Sequence, residues 1–260
     1  MTFRHHSASS INSFISNRDS WFRTKILKQP FPNNPYFARG KAVEAGIEQF
    51  LINGKSVDFS VDHGVKLYEE ECSDLTDEQA DSQREFIEPM IVEGINFYDG
   101  QRKFISGDPV SQNKIKLKFE VSKTPLIGYT DFEWPSQVRD LKTASKTPSA
   151  LSDSYKIQGA IYRLATNKKV TFDYIIPLKS GVKVKSIELT DDDVRYAIRL
   201  IEPALVAMDR IIKYIPEDMD NFSRAFYEAL AFPNIPGMFN KEERSQAIRS
   251  LPTPKTKFVK

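Results

Sequence analysis

The sequence predicts an α/β or α+β domain built on one mixed β-sheet. Two observations predict it. Runs of strand-like residues fill the middle of the chain, and segments of helical period lie before, within and after them. IKLKFEV (115–121), PLIGYTDFEW (125–134) and QVRDLKT (137–143) read as consecutive strands with short turns. SDSYKIQGAIYRLAT (152–166) reads as a helix with Ser152 or Ser154 as its cap. VTFDYIIPLKS (170–180) and VKVKSIELT (182–190) are two further strands joined across Ser180-Gly181. Asp191 opens a long helix through about Tyr214.

The first part of the chain is helical. Ile11, Phe14, Ile15, Phe22 and Ile26 recur at near-helical spacing, predicting a helix over 9–27. A Pro/Asn loop precedes a second helix over 36–52, stopped by Asn53-Gly54. Residues 76–98 predict a third helical region, acidic at its start and interrupted near Pro89. The expectation is one domain over 1–260: a helical cover over about 7–105, an α/β core over about 114–215 and a mobile tail at 251–260.

Composition narrows the classes. There are 37 basic and 35 acidic residues, a net charge of +2, so any nucleic-acid surface must be local. One cysteine, Cys72, rules out an internal disulfide framework, a Cys-rich zinc site and a four-Cys iron–sulfur cluster. No apolar run approaches the roughly 20 residues of a membrane span, and MTFRHHSASS lacks a signal-peptide core. The expectation is a soluble, cytoplasmic protein.

The chemistry is concentrated in GYTDFEWPSQVRDLKTAS, residues 128–145. Strands normally spend such positions on β-branched or aromatic residues, and a buried charge is costly unless paired or bound to metal. Asp140 and Lys142 are two apart and share a strand face, and a tight hairpin brings Asp131 beside Asp140. Adjacent carboxylates repel, and a divalent cation relieves the conflict; hard oxygen ligands suit Mg²⁺ or Mn²⁺. Such an ion lowers the pKa of a bound water, and Lys142 is placed to orient or deprotonate that water and to stabilise phosphate charge. The bland reading of Asp140-Leu141-Lys142 is a pair of exposed salt bridges. Its place directly after Gly128-x-x-Asp131 is what raises it.

Tyr155, Gln158 and Tyr162 share one helix face and offer hydrogen bonds and rings suited to a phosphate backbone and stacked bases. Glu44 falls on the apolar stripe of the second helix, with Glu48 nearer its edge; such a carboxylate needs a partner, either a metal or Lys41 or Arg39.

Taken in order, Gly128-Tyr-Thr-Asp131, Asp140-Leu-Lys142 and Gln158-Gly-Ala-Ile-Tyr162 resemble the PD-(D/E)XK nuclease superfamily in its RecB-like exonuclease branch. Ser7-x-Ser9, Phe14, Trp21-Phe22 and Gly40-x-x-x-Glu44 are similar to that branch's opening helices, so the resemblance spans roughly 7–190. It implies a PD-(D/E)XK restriction-endonuclease-like core. It also implies Asp131, Asp140 and Glu44 as ligands of Mg²⁺ or Mn²⁺, with the Leu141 carbonyl as a further ligand and Lys142 as the catalytic lysine. Gln158 and Tyr162 would position DNA. Glu44 stands where many members carry histidine, which favours a harder ion.

Glu120 and Glu133 are candidate second-metal or supporting acids, and Tyr155, Lys146, Arg163, Arg39 and Arg23 are candidate DNA contacts. His5-His6 and His63 form no trusted ligand spacing and read as a mobile terminus and a loop; 68–81 reads as an acidic helix start. The leading expectation is a metal-dependent exonuclease on single-stranded DNA or DNA ends, acting in replication, recombination or repair. A helicase or single-strand-binding protein would be its partner, since no helicase motif is present. The rivals are a structure-specific endonuclease and a catalytically silent DNA-binding protein on the same fold.

Overall fold

A computed structural model describes residues 5–30, 34–75 and 78–214. Its centre is one sheet with strands in chain order: β1 (Val110–Leu117), β2 (Leu126–Glu133), β3 (Gln137–Thr143), β4 (Lys169–Leu178) and β5 (Gly181–Glu188). β3 and β4 run parallel and are joined by helix α7 (Asp153–Thr166); the other neighbours are antiparallel. Ser152 caps α7 by accepting the Tyr155 amide, and Asn167 ends it in the left-handed conformation at φ 56°.

Two apolar layers cover the sheet. On one face, Ile11 and Phe14 of α1 (Ala8–Ser16) and Trp21 of α2 (Arg18–Trp21) pack with Ile161 of α7 and Leu205 of α8 (Asp191–Tyr214). On the other, α3 (Pro35–Leu51), α4 (Val57–Glu71), α5 (Glu78–Arg84) and α6 (Ile87–Gln101) bury Ile47, Tyr68 and Ile91 against Phe132, Leu141 and Ile175. On β3 and β4 successive residues enter opposite layers, as a pleated strand requires: Val138 and Phe172 one way, Leu141 and Ile175 the other.

β1 and β2 break that rule at one place. Leu126 packs in the α7 layer, yet Phe132, six residues later and of the same parity, packs in the α3 layer. On β1, Ile115 lies in the α7 layer while the Ser111 hydroxyl bonds Glu48 on α3. The register is intact on both sides, Ser111 opposite Phe132 and Asn113 opposite Thr130, so both strands slip by one residue at the intervening pair Gln112 and Asp131. Gln112 takes a left-handed φ of 49°, an uncommon conformation for a non-glycine residue and one associated with functional strain.

Just beyond the slip, β2 and β3 part. Their ladder pairs Phe132 with Arg139 and Glu133 with Val138. The edge of β2 left by β3 is covered by the N-terminal segment. The His6 amide donates to the Pro125 carbonyl at 2.8 Å, and the Ile127 amide donates to the His6 carbonyl at 2.9 Å. His6 is fully buried and bonds Asp209 on α8 at 2.8 Å. It is therefore a sheet residue and not a mobile terminus, because an unpaired strand edge inside the fold would leave backbone groups unsatisfied.

Several expected boundaries shift. The helix expected over 9–27 is broken at Asn17, which leaves helical geometry at φ −156° and caps α2. Helix α4 was not expected, since the sequence reading placed His63 in a loop. There α3 and α4 cross so closely that a Cβ on Gly64 would lie 2.8 Å from the Ala42 carbonyl oxygen. His63 therefore lies in a helix, and Tyr68–Glu71 end one. The region 76–98 divides before Pro89, which sits in the first turn of α6, where an amide is not required. The first strand begins at Val110, so Glu120 falls in the following turn, exposed. The expected tail at 251–260 lies outside the described residues.

Opposite the acidic cluster, Arg139 forks onto Asp173 with two bonds of 2.7 Å, and Tyr98 and Ser186 donate to the same carboxylate at 3.0 and 2.6 Å. The pair is buried, at 7% and 0% side-chain exposure, and locks β3 to β4 and to α6. Asp173→Ala strands the guanidinium without its counter-charge. We predict a loss of about 3–5 kcal/mol of unfolding free energy by urea titration; a loss below about 1 kcal/mol would show that the pair is not holding these elements.

Candidate active site

The fork between β2 and β3 collects Asp131, Asp140 and Lys142, and α3 brings Glu44 to them. Asp131 projects from the slipped residue of β2, and its Oδ2 accepts the Leu141 amide at 2.9 Å. The carboxylate thus takes a bond that the β2–β3 ladder gives up. Asp140, fully buried, faces the α7 side of β3. Its Oδ1 accepts from Gln158 Nε2 at 2.9 Å, and its Oδ2 forms an ion pair with the Lys142 ammonium. Glu44 accepts from Gln112 Nε2 at 2.8 Å. Lys41 and Arg39 do not serve Glu44: Lys41 pairs with Glu71 at 3.0 Å, and Arg39 bonds Gln83.

Three carboxylates against one ammonium leave a strained balance. Burial, then the neighbouring Asp131 charge, pushes Asp140 up to about 7 against the pull of Lys142. Burial likewise raises Asp131 to about 7, with Glu44 adding to the rise and Lys142 opposing it. Glu44 also rises to about 7, through burial and then the Asp140 charge. Burial alone would lower Lys142, but Asp140 and Asp131 outweigh it and hold the ammonium charged.

Among the described residues no three His, Cys, Asp or Glu side chains converge as a ready metal cage. Lys142 and the Leu141 amide instead occupy one oxygen each of Asp140 and Asp131. The donor set nonetheless suits a hard divalent cation, which would replace the protons that raised pKa values retain. Leu141 anchors this segment, with its side chain 4% exposed in the α3-side core.

The helix residues act inward. Gln158 Nε2 also donates to the Tyr162 hydroxyl at 2.8 Å, and that hydroxyl donates to the Tyr129 carbonyl at 2.7 Å. Tyr162, 3% exposed, therefore ties α7 to β2, and Gln158 holds Asp140. Tyr155 stacks on Phe172 with centroids 5.5 Å apart, and the Lys142 ammonium lies 5.3 Å from its ring centroid. These three residues form a scaffold behind the charges, which the stripe Tyr155-Gln158-Tyr162 alone does not reveal.

Other expected positions are elsewhere. Arg39 is 2% exposed, bonded to Gln83 and set against the Tyr36 ring, so it presents no open guanidinium to a phosphate. Arg23 bonds Asp19 at 3.0 Å, and Arg163 lies 3.8 Å from Asp191. Lys146 is exposed in the loop after β3. Glu133 is drawn away by the slip: it shares a face with Thr130, pairs with Lys168 at 2.7 Å and accepts from Asn113 at 2.9 Å. Gln112 belongs to the site and has no sequence signal beyond being a polar strand residue.

The raised carboxylates make a prediction. Between about pH 4 and 7 these three groups hold protons in the folded protein that the unfolded chain releases, so their contribution to stability is greatest at the acid end and falls as pH rises through that window, with buried His6 acting in the opposite sense. The slope is about 1.4 kcal/mol per pH unit for each extra proton held. Melting curves in chelator should show the fall from pH 5 to pH 8, shallower in Asp140→Asn, where one repelling charge is gone. A wild-type curve no steeper than the variant's would remove the electrostatic account.

No protein-family model and no curated protein matches the chain. Solved structures do. A candidate exonuclease from Eubacterium rectale superposes with a TM-score of 0.59 at 13% identity, over 85% of this chain and 87% of that one. SSO0001 matches with a TM-score of 0.32 at 14% identity, over 69% of this chain and 96% of that one. LHK-Exo, solved in complex with dAMP, gives 0.28 at 10% identity, over 69% and 94%. The likeness to the first is one of fold, which in this chain is a five-stranded mixed sheet flanked by helices.

Proposed function

We propose that the protein is a metal-dependent deoxyribonuclease of the RecB-like PD-(D/E)XK type. The observation that carries this reading is the buried cluster of mutually interacting charges, Glu44, Asp131, Asp140 and Lys142, at a strand fork in that fold. Asp131, Asp140 and Glu44 would hold Mg²⁺ or Mn²⁺, with the Leu141 carbonyl as a further ligand. When bound, the ion supplies an activated water and charge neutralisation at a phosphodiester.

The chain's own residues do the rest. Lys142 carries its charge beside Asp140, where it orients the attacking water and stabilises the negative charge that grows on the phosphoryl oxygens. Gln158 fixes one Asp140 oxygen and so determines which face of that carboxylate is presented. Tyr162 holds Gln158 against β2, and Tyr155 supports the Lys142 ammonium from below. Gln112 restrains Glu44. Water then attacks phosphorus in line, the P–O3′ bond breaks, and the products carry 5′-phosphate and 3′-hydroxyl ends.

The substrate we favour is DNA with a free end, cut exonucleolytically in replication, recombination or repair within the cytoplasm. A separate helicase or single-strand-binding protein would supply the strand. Among the described residues no helix is long and apolar enough to cross a membrane, which is consistent with that setting.

End-labelled linear single-stranded DNA and a closed single-stranded circle test the reading side by side with Mg²⁺, Mn²⁺ or EDTA. The expected outcome is metal-dependent loss of the linear DNA alone, reduced at least about 100-fold in Lys142→Ala. Loss of the circle would make the enzyme an endonuclease. Full activity of Lys142→Ala and Asp140→Ala would falsify the assignment.

A further inference from the structure

The slip at Gln112 and Asp131 also decides which residues of β1 and β2 face outward. Beyond it, Ile115 and Leu126 point into the α7 layer, so their neighbours Lys114, Lys116, Ile127 and Tyr129 point to the opposite face. The α3–α6 layer does not bury them. Tyr129 is 50% exposed, and both lysines are exposed. Tyr129 lies directly opposite Lys114, and Lys116 opposite Ile127. Neither lysine joins an ion pair among the described residues.

The position matters because Tyr129 stands two residues before Asp131 on the same strand, roughly 7 Å along it. The cluster at Asp131 is acidic and repels phosphate on its own. A polyanion reaching it needs attraction from nearby, and this open sheet face supplies two ammonium groups and a ring. An exposed ring with adjacent cations is the combination that holds unpaired bases and their backbone. A duplex offers no free base face to Tyr129.

We propose that this face of the β1–β2 ribbon is the track on which single-stranded nucleic acid is held as it enters the site, with a base stacked on Tyr129 and phosphates on Lys114 and Lys116. The inference rests on the nuclease reading and names where its substrate lies. The Tyr129 side chain is separable from its backbone, since only its carbonyl receives the Tyr162 hydroxyl.

The test is steady-state cleavage of a single-stranded oligonucleotide, with a blunt duplex of the same sequence beside it, by the full chain with Mn²⁺. Tyr129→Ala should raise KM for the single strand about tenfold, with a smaller effect on the duplex, and Tyr129→Phe should restore it. The double variant Lys114→Gln, Lys116→Gln should weaken binding and make the slope of log Kd against log salt shallower by about 1.4. Melting curves matching wild type would separate these effects from misfolding. An active wild type whose variants keep KM and salt slope within twofold overturns the track and leaves the nuclease reading standing. Equal losses on duplex and single strand overturn the stacking role. An inactive wild type removes the reading beneath both.

Discussion

Everything at the site depends on a lost alternation. Two paired strands keep their register but each skips one step between the pairs Ser111–Phe132 and Asn113–Thr130, where Gln112 and Asp131 form no ladder pair. A regular rung there would send Asp131 to one flat face of the sheet. The irregular one sends its carboxylate to the Leu141 amide in the fork between β2 and β3, within reach of Asp140 and Lys142. It also turns the Gln112 amide toward Glu44, coupling α3 to the sheet. A β-sheet tolerates such a defect only where other contacts fix it. Here the fixing contacts lie on both sides: Asn113, Thr130 and Lys168 converge on Glu133, and Tyr162 bonds the Tyr129 carbonyl.

The succession of strands and the helix between β3 and β4 were legible because they follow from local pattern and turn chemistry, whereas the parallel pairing of β3 with β4 is a long-range contact. The placement of Asp140 and Lys142 on one face was legible for the same reason: β3 is regular, and regular strands obey parity. Glu44 was legible as a carboxylate on an apolar stripe, where burial without a partner is costly. Glu133 was misread because parity was carried through a slip that sequence does not mark. Arg39 was misread because a long cation on a helix is usually solvated, whereas Gln83 on α5 and the Tyr36 ring enclose this one. Helix α4 was missed with His63 read as a loop residue; its neighbour Gly64 is there because α3 and α4 touch, a contact that no local pattern marks.

The two faces of β3 and β4 carry opposite solutions to the problem of buried charge. Arg139 and Asp173 neutralise each other completely, with Tyr98 and Ser186 filling the remaining acceptor positions. Such a cluster is finished; it has no capacity to take up another ion. On the other face Asp140 has Lys142 and Gln158, but Asp131 and Glu44 add charge that, among the described residues, Lys142 alone does not balance. The difference between a structural ion pair and a reactive centre is here one of incomplete compensation, on neighbouring residues of one strand.

The N-terminal segment has a consequence for how the chain is made. His6 pairs with the edge of β2 and is held by Asp209, 203 residues away along the chain. During synthesis His6 emerges long before either partner, and its side chain cannot gain the Asp209 bond that holds it until α8 has left the ribosome. The last step of assembly then joins the two ends of the described fold, a closure of high contact order and correspondingly slow. Until His6 has docked, β2 presents an open strand edge beside the fork, the kind of surface on which nascent chains pair with one another.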